Sequence, residues 1–294
     1  MRADHTLVVA VDGGGTRCRI AASDGDRMWM VEAGSANAST DFEEALHEIN
    51  TGLEGLAEQM GCPVSALHAA RAFVGLAGVT GPAIEGRLRS ALPFEHMRVS
   101  DDREAAVRGV LGTRDGVVGH CGTGSFYARQ LGGAVTLAGG WGPVLGDEAS
   151  AQWAGRYALR LTLETVDGRL RPSPLSARLL DDFEGAAGIV GFAAKARPSD
   201  FGELAPLVTE YAARQDAIAC QIMQRGADEI SRALRHVGWR PGLAVCLTGG
   251  IGPHYAPFLA RDLRTDLAQA EMEPLDGAIA LARDLAQEIA NDRN

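Results

Sequence analysis

A run of glycines near the amino terminus has the composition of a phosphate-binding turn. Residues 7–11 and 17–20 predict two short strands. The residues between them are Asp12, Gly13, Gly14, Gly15 and Thr16. Glycines leave backbone N–H groups unobstructed, so such a turn can surround phosphate oxygens, and Thr16 adds a hydroxyl donor. Asp12 ends the first strand and is a candidate ligand for Mg²⁺, which takes one or two carboxylates together with phosphates.

A second turn of the same kind follows the predicted strand at residues 117–121. Its residues are Gly122, Thr123, Gly124 and Ser125. Two such turns on opposing domains can bind a polyphosphate from both sides, which favours phosphate binding over a plain hairpin. A third glycine turn, containing Gly249 and Gly250, follows the apolar residues 243–247.

The elements around these turns indicate an internal duplication. The strand-turn-strand pattern of residues 7–20 recurs at 117–128, and residues 243–252 echo 73–78. The pattern predicts an α/β protein of two similar domains that face each other across a cleft. We place the first domain at residues 1–112 and the second at 113–275. The amphipathic helix 276–294 is expected to rejoin the first domain.

Two helix starts carry acidic or hydroxyl side chains. Thr40 followed by Glu43 predicts a capping box at the start of a helix. Asp101 and Asp102 open a further helix after a short strand. Either carboxylate could be a helix N-cap or a general base, and the sequence alone leaves both assignments open.

Charge and lysine content exclude several classes of function. The formal net charge of -10 argues against a nucleic-acid surface, which needs clustered Lys and Arg. Lys195 is the single lysine of the chain. There is no G-x-x-x-x-G-K-[ST] loop, so a nucleotide must be bound by other means.

The cysteines and the apolar runs add further exclusions. The five cysteines are scattered and show no C-x-x-C spacing, which predicts neither a disulfide framework nor a zinc site. No apolar run approaches the roughly 18 to 20 residues of a membrane span. The start of the chain lacks the pattern of a signal peptide, so we expect a cytoplasmic protein without membrane association.

The ordered set of motifs resembles one protein family. DGGGTRCR, the GTGS turn, GGWGPVLGDEASAQW and LTGGIG resemble the BadF/BadG/BcrA/BcrD-type ATPases, and among them the N-acetylglucosamine and glucosamine kinases. The resemblance extends from about residue 8 to 282. It implies two RNase H-like, actin-like ATPase domains, ATP with Mg²⁺ as cofactors, and a homodimer.

The resemblance also implies roles for particular residues. The two glycine turns become the phosphate turns, and the turn with Gly249 and Gly250 becomes the adenosine motif. Asp102 matches the aspartate that acts as general base at the start of a helix, with Asp101 as its adjacent competitor. The residues that match sugar-contacting positions are Asn37, Gly142, Asp147 and Glu148.

A sugar kinase is therefore the predicted function, with glucosamine as the expected acceptor. The residues after Leu76 are Ala77, Gly78 and Val79, where the acetyl-sugar kinases often have serine and glycine. This departure, together with the acidic pair Asp147 and Glu148, favours the free amine, and N-acetylglucosamine is the alternative. An activator ATPase with an iron–sulfur cluster is the alternative from another class, because Cys121 adjoins the second turn. A sugar-responsive regulator would need an amino-terminal DNA-binding segment that is not seen before residue 7.

Overall fold

The computed structural model describes residues 6–15 and 17–292, so Thr16 of the first glycine turn lies outside the described residues. The chain divides into two compact units. One comprises the chain up to Thr113 together with the chain from Glu271 onward, and the other comprises Arg114–Ala270.

The first unit is built on a five-stranded sheet. Its strands are β1 (Val8–Gly13), β2 (Cys18–Ser23), β3 (Met28–Ala33), β4 (Arg71–Leu76) and β5 (His96–Asp101). The order is β3-β2-β1-β4-β5, with β1, β2 and β3 antiparallel and β1, β4 and β5 parallel. The register pairs Asp12 with Gly75 and Gly75 with Ser100, so the ends of β1 and β5 lie at one edge of the sheet on either side of β4.

Helices cover both faces of this sheet. They are α1 (Phe42–Met60), α2 (Val64–His68), α3 (Pro82–Ala91), α4 (Asp102–Leu111) and α13 (Pro274–Asp292). Helix α13 packs on α4, and Gly109 and Gly277 make this possible, because a side chain at either would collide with backbone of the other helix or its start. The predicted capping box at Thr40 is wrong. Helix α1 begins one residue later, where the Asp41 carboxylate accepts from the N–H of Glu44.

The second unit repeats the topology with four strands. These are β6 (Gly116–Cys121), β7 (Ser125–Leu131), β8 (Ala134–Gly139) and β9 (Ala244–Thr248). Their order is β8-β7-β6-β9, with β6 and β9 parallel. A single parallel bridge between Val245 and Leu267 occupies the place of the fifth strand.

The helices of the second unit form its main hydrophobic core against one face of the sheet. They are α5 (Gly142–Leu145), α6 (Ala151–Val166), α7 (Pro174–Asp182), α8 (Ala186–Ala193), α9 (Pro198–Gly202), α10 (Ala205–Ala213), α11 (Ala217–His236) and α12 (Arg261–Thr265), with a 3₁₀ helix at Gly252–Phe258. The repeated strand order confirms the predicted fold class, an α/β protein with two RNase H-like sheets.

Candidate active site

The first glycine turn is closed by its own backbone. The N–H of Gly14 donates to the carbonyl of Arg17 at 2.9 Å, and the carbonyl of Gly14 accepts from Ala36 at 3.0 Å. Gly13 is packed tightly, because a Cβ there would come within 2.4 Å of the Leu76 side chain. Gly15 is exposed and has nothing within 4 Å of the Cβ it lacks. Fewer N–H groups are therefore available to a phosphate than the glycine run predicts, and Gly15 leads into open space.

Asp12 is paired with an arginine that the sequence reasoning did not consider. Its Oδ2 atom accepts from Nη2 of Arg19 at 2.5 Å, and both side chains are less than one-fifth exposed. The register places Arg19 directly opposite Asp12 on β2. Oδ1 is not engaged by this ion pair, so Asp12 can still offer one carboxylate oxygen to a cation.

The structure distinguishes the two adjacent aspartates at the end of β5. Asp101 is the N-cap of α4, where its carboxylate accepts from the N–H of Arg103. The guanidinium of Arg103 also donates two hydrogen bonds to this carboxylate, from Nε to Oδ1 at 2.7 Å and from Nη2 to Oδ2 at 2.8 Å. Asp102 is the first residue of the helix, and its carboxyl group is not part of the cap. Asp101 thus caps α4 and pairs with Arg103, whereas the Asp102 carboxyl takes no part in the cap.

The pKa values of the two carboxyls move in opposite directions. Burial alone would raise the pKa of Asp101, but the hydrogen bonds and charge of Arg103 outweigh it, so this pKa lies below its usual value. Burial, the negative charge of Asp101, a hydrogen bond with the Asp101 carboxyl group and the charge of Asp12 together raise the pKa of Asp102 to about 7. Such a carboxyl exchanges a proton near neutral pH, as a general base does.

Gly75 lies on β4, between β1 with Asp12 and β5, which leads into Asp102. A Cβ there would lie 3.0 Å from the Phe73 ring and 3.3 Å from the Cα of Asp102, so a side chain would crowd the start of α4. The sequence showed Gly75 only as part of an apolar strand.

Asn37 has a different local environment from the one predicted. Its Oδ1 atom accepts from the N–H of Ser39, the hydroxyl of Ser39 and the N–H of Thr40, at 2.9 to 3.2 Å. The acceptor side of the amide is therefore used to fold its own loop. The Nδ2 group is left to donate, so Asn37 cannot both donate to and accept from a ligand as expected.

The second glycine turn is tied to the loop that precedes α6. The N–H of Gly122 donates to the carbonyl of Gly124 at 2.9 Å, and the carbonyl of Gly122 accepts from Ala151 at 2.8 Å. Thr123 is exposed at the tip of the turn. The hydroxyl of Ser125 donates to the carbonyl of Glu148 at 2.7 Å. Ser125 thus holds the acidic loop in place, and its assignment to the phosphate-binding turn stays a prediction.

Asp147 is the centre of that loop. It is buried and adopts a left-handed backbone with φ of 60°. Its carboxylate accepts from the N–H groups of Ser125 and Gly142, while burial raises its pKa. A Cβ at Gly124 would lie 2.9 Å from an oxygen of this carboxylate. Asp147 therefore shapes the second turn as well as its own loop.

The exposed part of the acidic loop consists of Glu148 and an apolar tip. The Glu148 side chain is exposed, while its backbone carbonyl accepts from Ser125 and Tyr127. Gly142 has φ of 84°, a conformation that favours glycine, and it starts α5. Trp141, Val144 and Leu145 are all at least three-quarters exposed.

The third glycine turn packs directly on the second. Gly249 has φ of 80°, and a Cβ there would lie 2.3 Å from the carbonyl oxygen of Cys121. That carbonyl accepts from the N–H of Ile251 at 3.2 Å. His120 links the same two segments, because its Nδ1 atom lies 3.1 Å from Oγ1 of Thr248. Burial lowers the pKa of His120, so the ring is neutral near pH 7.

A pocket of about 420 Å³ opens between these two turns and the helices beside them. Three predicted residues line it: Gly122, Thr123 and Gly250. Ile251 and Ala151 also line it, and both lie within motifs that the sequence analysis quoted. The other lining residues were not found by sequence reasoning: Gly202, Ala205, Pro206, Thr209 and His254. They come from α9, α10 and the 3₁₀ helix, and no motif marks helical residues whose contact with a distant turn depends on the tertiary fold.

The cysteine that adjoins the second glycine turn, Cys121, is a buried thiol. Cys121 is fully buried, and burial raises the pKa of its thiol to about 12. A buried neutral thiol is a packing residue and a poor metal ligand. Within residues 6–15 and 17–292, no group of three or more His, Cys, Asp or Glu side chains is arranged to bind a metal.

In the same described part of the chain, no helix is long and apolar enough to cross a membrane.

Two RNase H-like sheets, each with a glycine turn after its first strand, define the class of actin-like, two-domain ATPases. A model of the BadF/BadG/BcrA/BcrD ATPase family matches residues 9–273. The chain therefore belongs to the BadF/BadG/BcrA/BcrD ATPase family, which confirms the predicted resemblance.

Curated relatives are named as amino-sugar kinases. The glucosamine kinase GspK of Vibrio cholerae is 26% identical over 278 residues, which cover 93% of this chain and 95% of the relative. The N-acetylmuramic acid/N-acetylglucosamine kinase of Clostridium acetobutylicum is 29% identical over 182 residues, 59% of each chain.

Solved structures agree with the fold. A candidate N-acetylglucosamine kinase of Chromobacterium violaceum is 31% identical, with a TM-score of 0.80 over 95% of this chain and 99% of that chain. A ROK family glucokinase of Streptomyces griseus, solved with glucose and AMPPNP, shares the fold at 18% identity and a TM-score of 0.54, covering 95% and 99% of the two chains.

Proposed function

We propose that this protein is an ATP-dependent amino-sugar kinase that transfers the γ-phosphoryl group of ATP to a hydroxyl of glucosamine. Membership of the ATPase family and the similarity to the glucosamine kinase of Vibrio cholerae over nearly the whole chain support this proposal. The second candidate acceptor is N-acetylglucosamine, which the 31% identity to the Chromobacterium violaceum protein favours.

The observation that carries the proposal is the state of Asp102. A sugar hydroxyl must lose its proton as it attacks the phosphorus atom, and a positioned carboxylate accepts that proton. Asp102 is partly buried, its pKa is raised to about 7, and the neighbouring Asp101 is paired with Arg103. Asp102 therefore serves as the general base of the transfer.

The remaining residues divide between nucleotide and sugar. Gly15 of the first turn and Thr123 of the second contact the phosphates of ATP, and the pocket beside Gly250 takes the nucleoside. Asp12, whose Oδ2 atom accepts from Arg19, would hold Mg²⁺. The ion supplies neutralisation of phosphate charge when it is bound. This arrangement requires no cluster of acids, because Mg²⁺ prefers one or two carboxylates together with phosphates.

The sugar contacts differ from the simple expectation. Asn37 donates from its Nδ2 group, since its oxygen is used within its own loop. Asp147 acts by shaping the acidic loop, because backbone N–H groups already bind its carboxylate. Glu148 is exposed and is the carboxylate that meets the ammonium group of glucosamine. The preference for a free amine thus depends on Glu148.

Mass spectrometry of the products tests the proposal. The protein is incubated with ATP, Mg²⁺ and either glucosamine or N-acetylglucosamine. We expect one sugar phosphate for each ADP formed, with faster turnover of glucosamine. Formation of ADP without any phosphorylated sugar would contradict the kinase and favour the activator ATPase.

Glu148→Gln tests the role of the acidic loop. We expect a three- to tenfold rise in KM for glucosamine, the scale of a partly exposed charge-assisted hydrogen bond, with little change in KM for N-acetylglucosamine or ATP. Steady-state kinetics with each substrate measure the difference. Glu288→Gln, an exposed acid on α13, is the matched control. An equal rise for both sugars would remove Glu148 from recognition of the amine.

The proposed activity uses ATP and so belongs in the cytoplasm. The family resemblance implies a homodimer, which sedimentation velocity would detect as a species of about twice the mass of the 30.9 kDa chain.

A further inference from the structure

The pocket of about 420 Å³ in the second unit has few side chains that can form hydrogen bonds. Glycine, alanine, proline and isoleucine residues make up most of its wall. The polar side chains among its lining residues are those of Thr123, Thr209 and His254. Thr123 belongs to the tip of the glycine turn, where phosphates bind. A base that extends away from this turn meets the wall formed by α9 and α10, to which Thr209 belongs.

Thr209 can act only as a hydrogen-bond acceptor toward a ligand. It lies within α10, and its hydroxyl donates its single proton to the carbonyl of Pro206 at 2.9 Å. A hydroxyl group has one proton and two acceptor lone pairs. With the proton committed to the helix backbone, only the lone pairs of Oγ1 remain for the pocket.

A hydrogen-bond acceptor at this position can distinguish adenine from guanine. Adenine carries an exocyclic amine, a donor, at the position where guanine carries a carbonyl, an acceptor. We propose that Thr209 is a specificity-determining residue that accepts a hydrogen bond from the exocyclic amine of adenine and so selects ATP over GTP. The inference rests on the proposed nucleotide-dependent function and adds the residue that reads the base. The imidazole of His254 can donate or accept according to its tautomer, so it does not make this selection.

A cycle of two enzyme forms and two nucleotides tests the proposal. The enzyme forms are wild type and Thr209→Val, which keeps the side-chain shape and removes the acceptor. The nucleotides are ATP and purine riboside triphosphate, which has hydrogen in place of the amine. Isothermal titration calorimetry measures each dissociation constant, so the test does not require turnover.

We expect Thr209→Val to weaken ATP binding about tenfold, because the amine loses its hydrogen-bond acceptor, and to leave binding of purine riboside triphosphate nearly unchanged. The preference for ATP over GTP should fall in the variant. Thr209→Ser retains the hydroxyl and should restore ATP binding. Thermal unfolding of each variant checks that α10 remains intact.

The proposal would be overturned if Thr209→Val weakened the binding of both nucleotides equally, or if the variant kept the preference for ATP over GTP. Backbone groups would then be the ones that recognise the base. Failure of the proposed kinase activity would be a separate result. In that case the wild-type protein would bind ATP with its adenine preference and yet phosphorylate no sugar.

Discussion

Replacement of Asp102 by asparagine is expected to lower kcat at least about 100-fold, the usual contribution of a positioned general base. The amide has nearly the same shape but cannot accept the proton of the sugar hydroxyl. ATP binding should change little, because Asp102 is not one of the phosphate-binding residues. Steady-state kinetics and calorimetry with ATP measure the two quantities.

Asp101→Asn is the matched control. It weakens the N-cap of α4 and the pairing with Arg103, which we expect to cost about 1 kcal/mol of stability. It also removes a negative charge that raises the pKa of Asp102. The acid limb of its pH–rate profile should therefore move to lower pH, with kcat at pH 8 near that of the wild type. If Asp101→Asn lost the activity and Asp102→Asn kept it, Asp101 would be the general base instead of Asp102.

The raised pKa of Asp102 also predicts how stability depends on pH. Its value is about 7 in the folded protein and 3.8 for an unperturbed aspartate carboxyl, so the folded state binds the proton more tightly. The wild type is therefore stabilised below pH 3.8 and progressively loses this contribution as pH rises through 7. Asp102→Asn should become more stable than the wild type over this window, by up to about 4 kcal/mol above pH 7. Urea unfolding at pH 5 and pH 8 measures the change, and equal differences at both would contradict the raised pKa.

Replacement of Gly15 by valine is expected to abolish measurable nucleotide binding. Gly15 is exposed, and nothing in the protein lies within 4 Å of the Cβ direction. The fold should therefore accept a side chain there, while the branched side chain fills the space meant for phosphate oxygens. Calorimetry with ADP and Mg²⁺ measures the loss.

Gly86→Val is the control for this substitution. Gly86 is likewise exposed with open space around its Cβ direction, but it lies on α3. It should bind ADP as the wild type does. Unchanged ADP affinity in the folded Gly15→Val protein would remove the first turn from the nucleotide site.

The sequence predicted the elements that depend on local patterns. Strands that end in glycine runs could be recognised because apolar alternation and glycine are adjacent in the chain. Because this strand-turn-strand pattern occurs twice in the chain, the sequence also predicted two similar sheets. Sequence could not separate Asp101 from Asp102, because both fit a helix start. The distinction depends on the side-chain direction of Arg103 and on the partial burial of Asp102 near Gly75.

Sequence could not show the hydrogen bonds that join distant loops. Ser125 and Asp147 are tied to the acidic loop and its backbone, and Asn37 to its own turn, while their assignments to ligands stay predictions. Thr209 and Gly202, which line the pocket beside Gly250, were missed because they carry no motif and reach the turns only through the packing of α9 and α10.

The rate of ADP formation with and without sugar tests the central claim most directly. A coupled assay would compare wild-type protein with ATP and Mg²⁺ alone and after addition of saturating glucosamine. A kinase whose base is Asp102 should show slow hydrolysis alone and a rate increase of at least about 100-fold with glucosamine, because the acceptor hydroxyl is the group that the base activates. Asp102→Asn should lose the increase. Equal rates with and without glucosamine or N-acetylglucosamine would contradict the assignment of a sugar kinase.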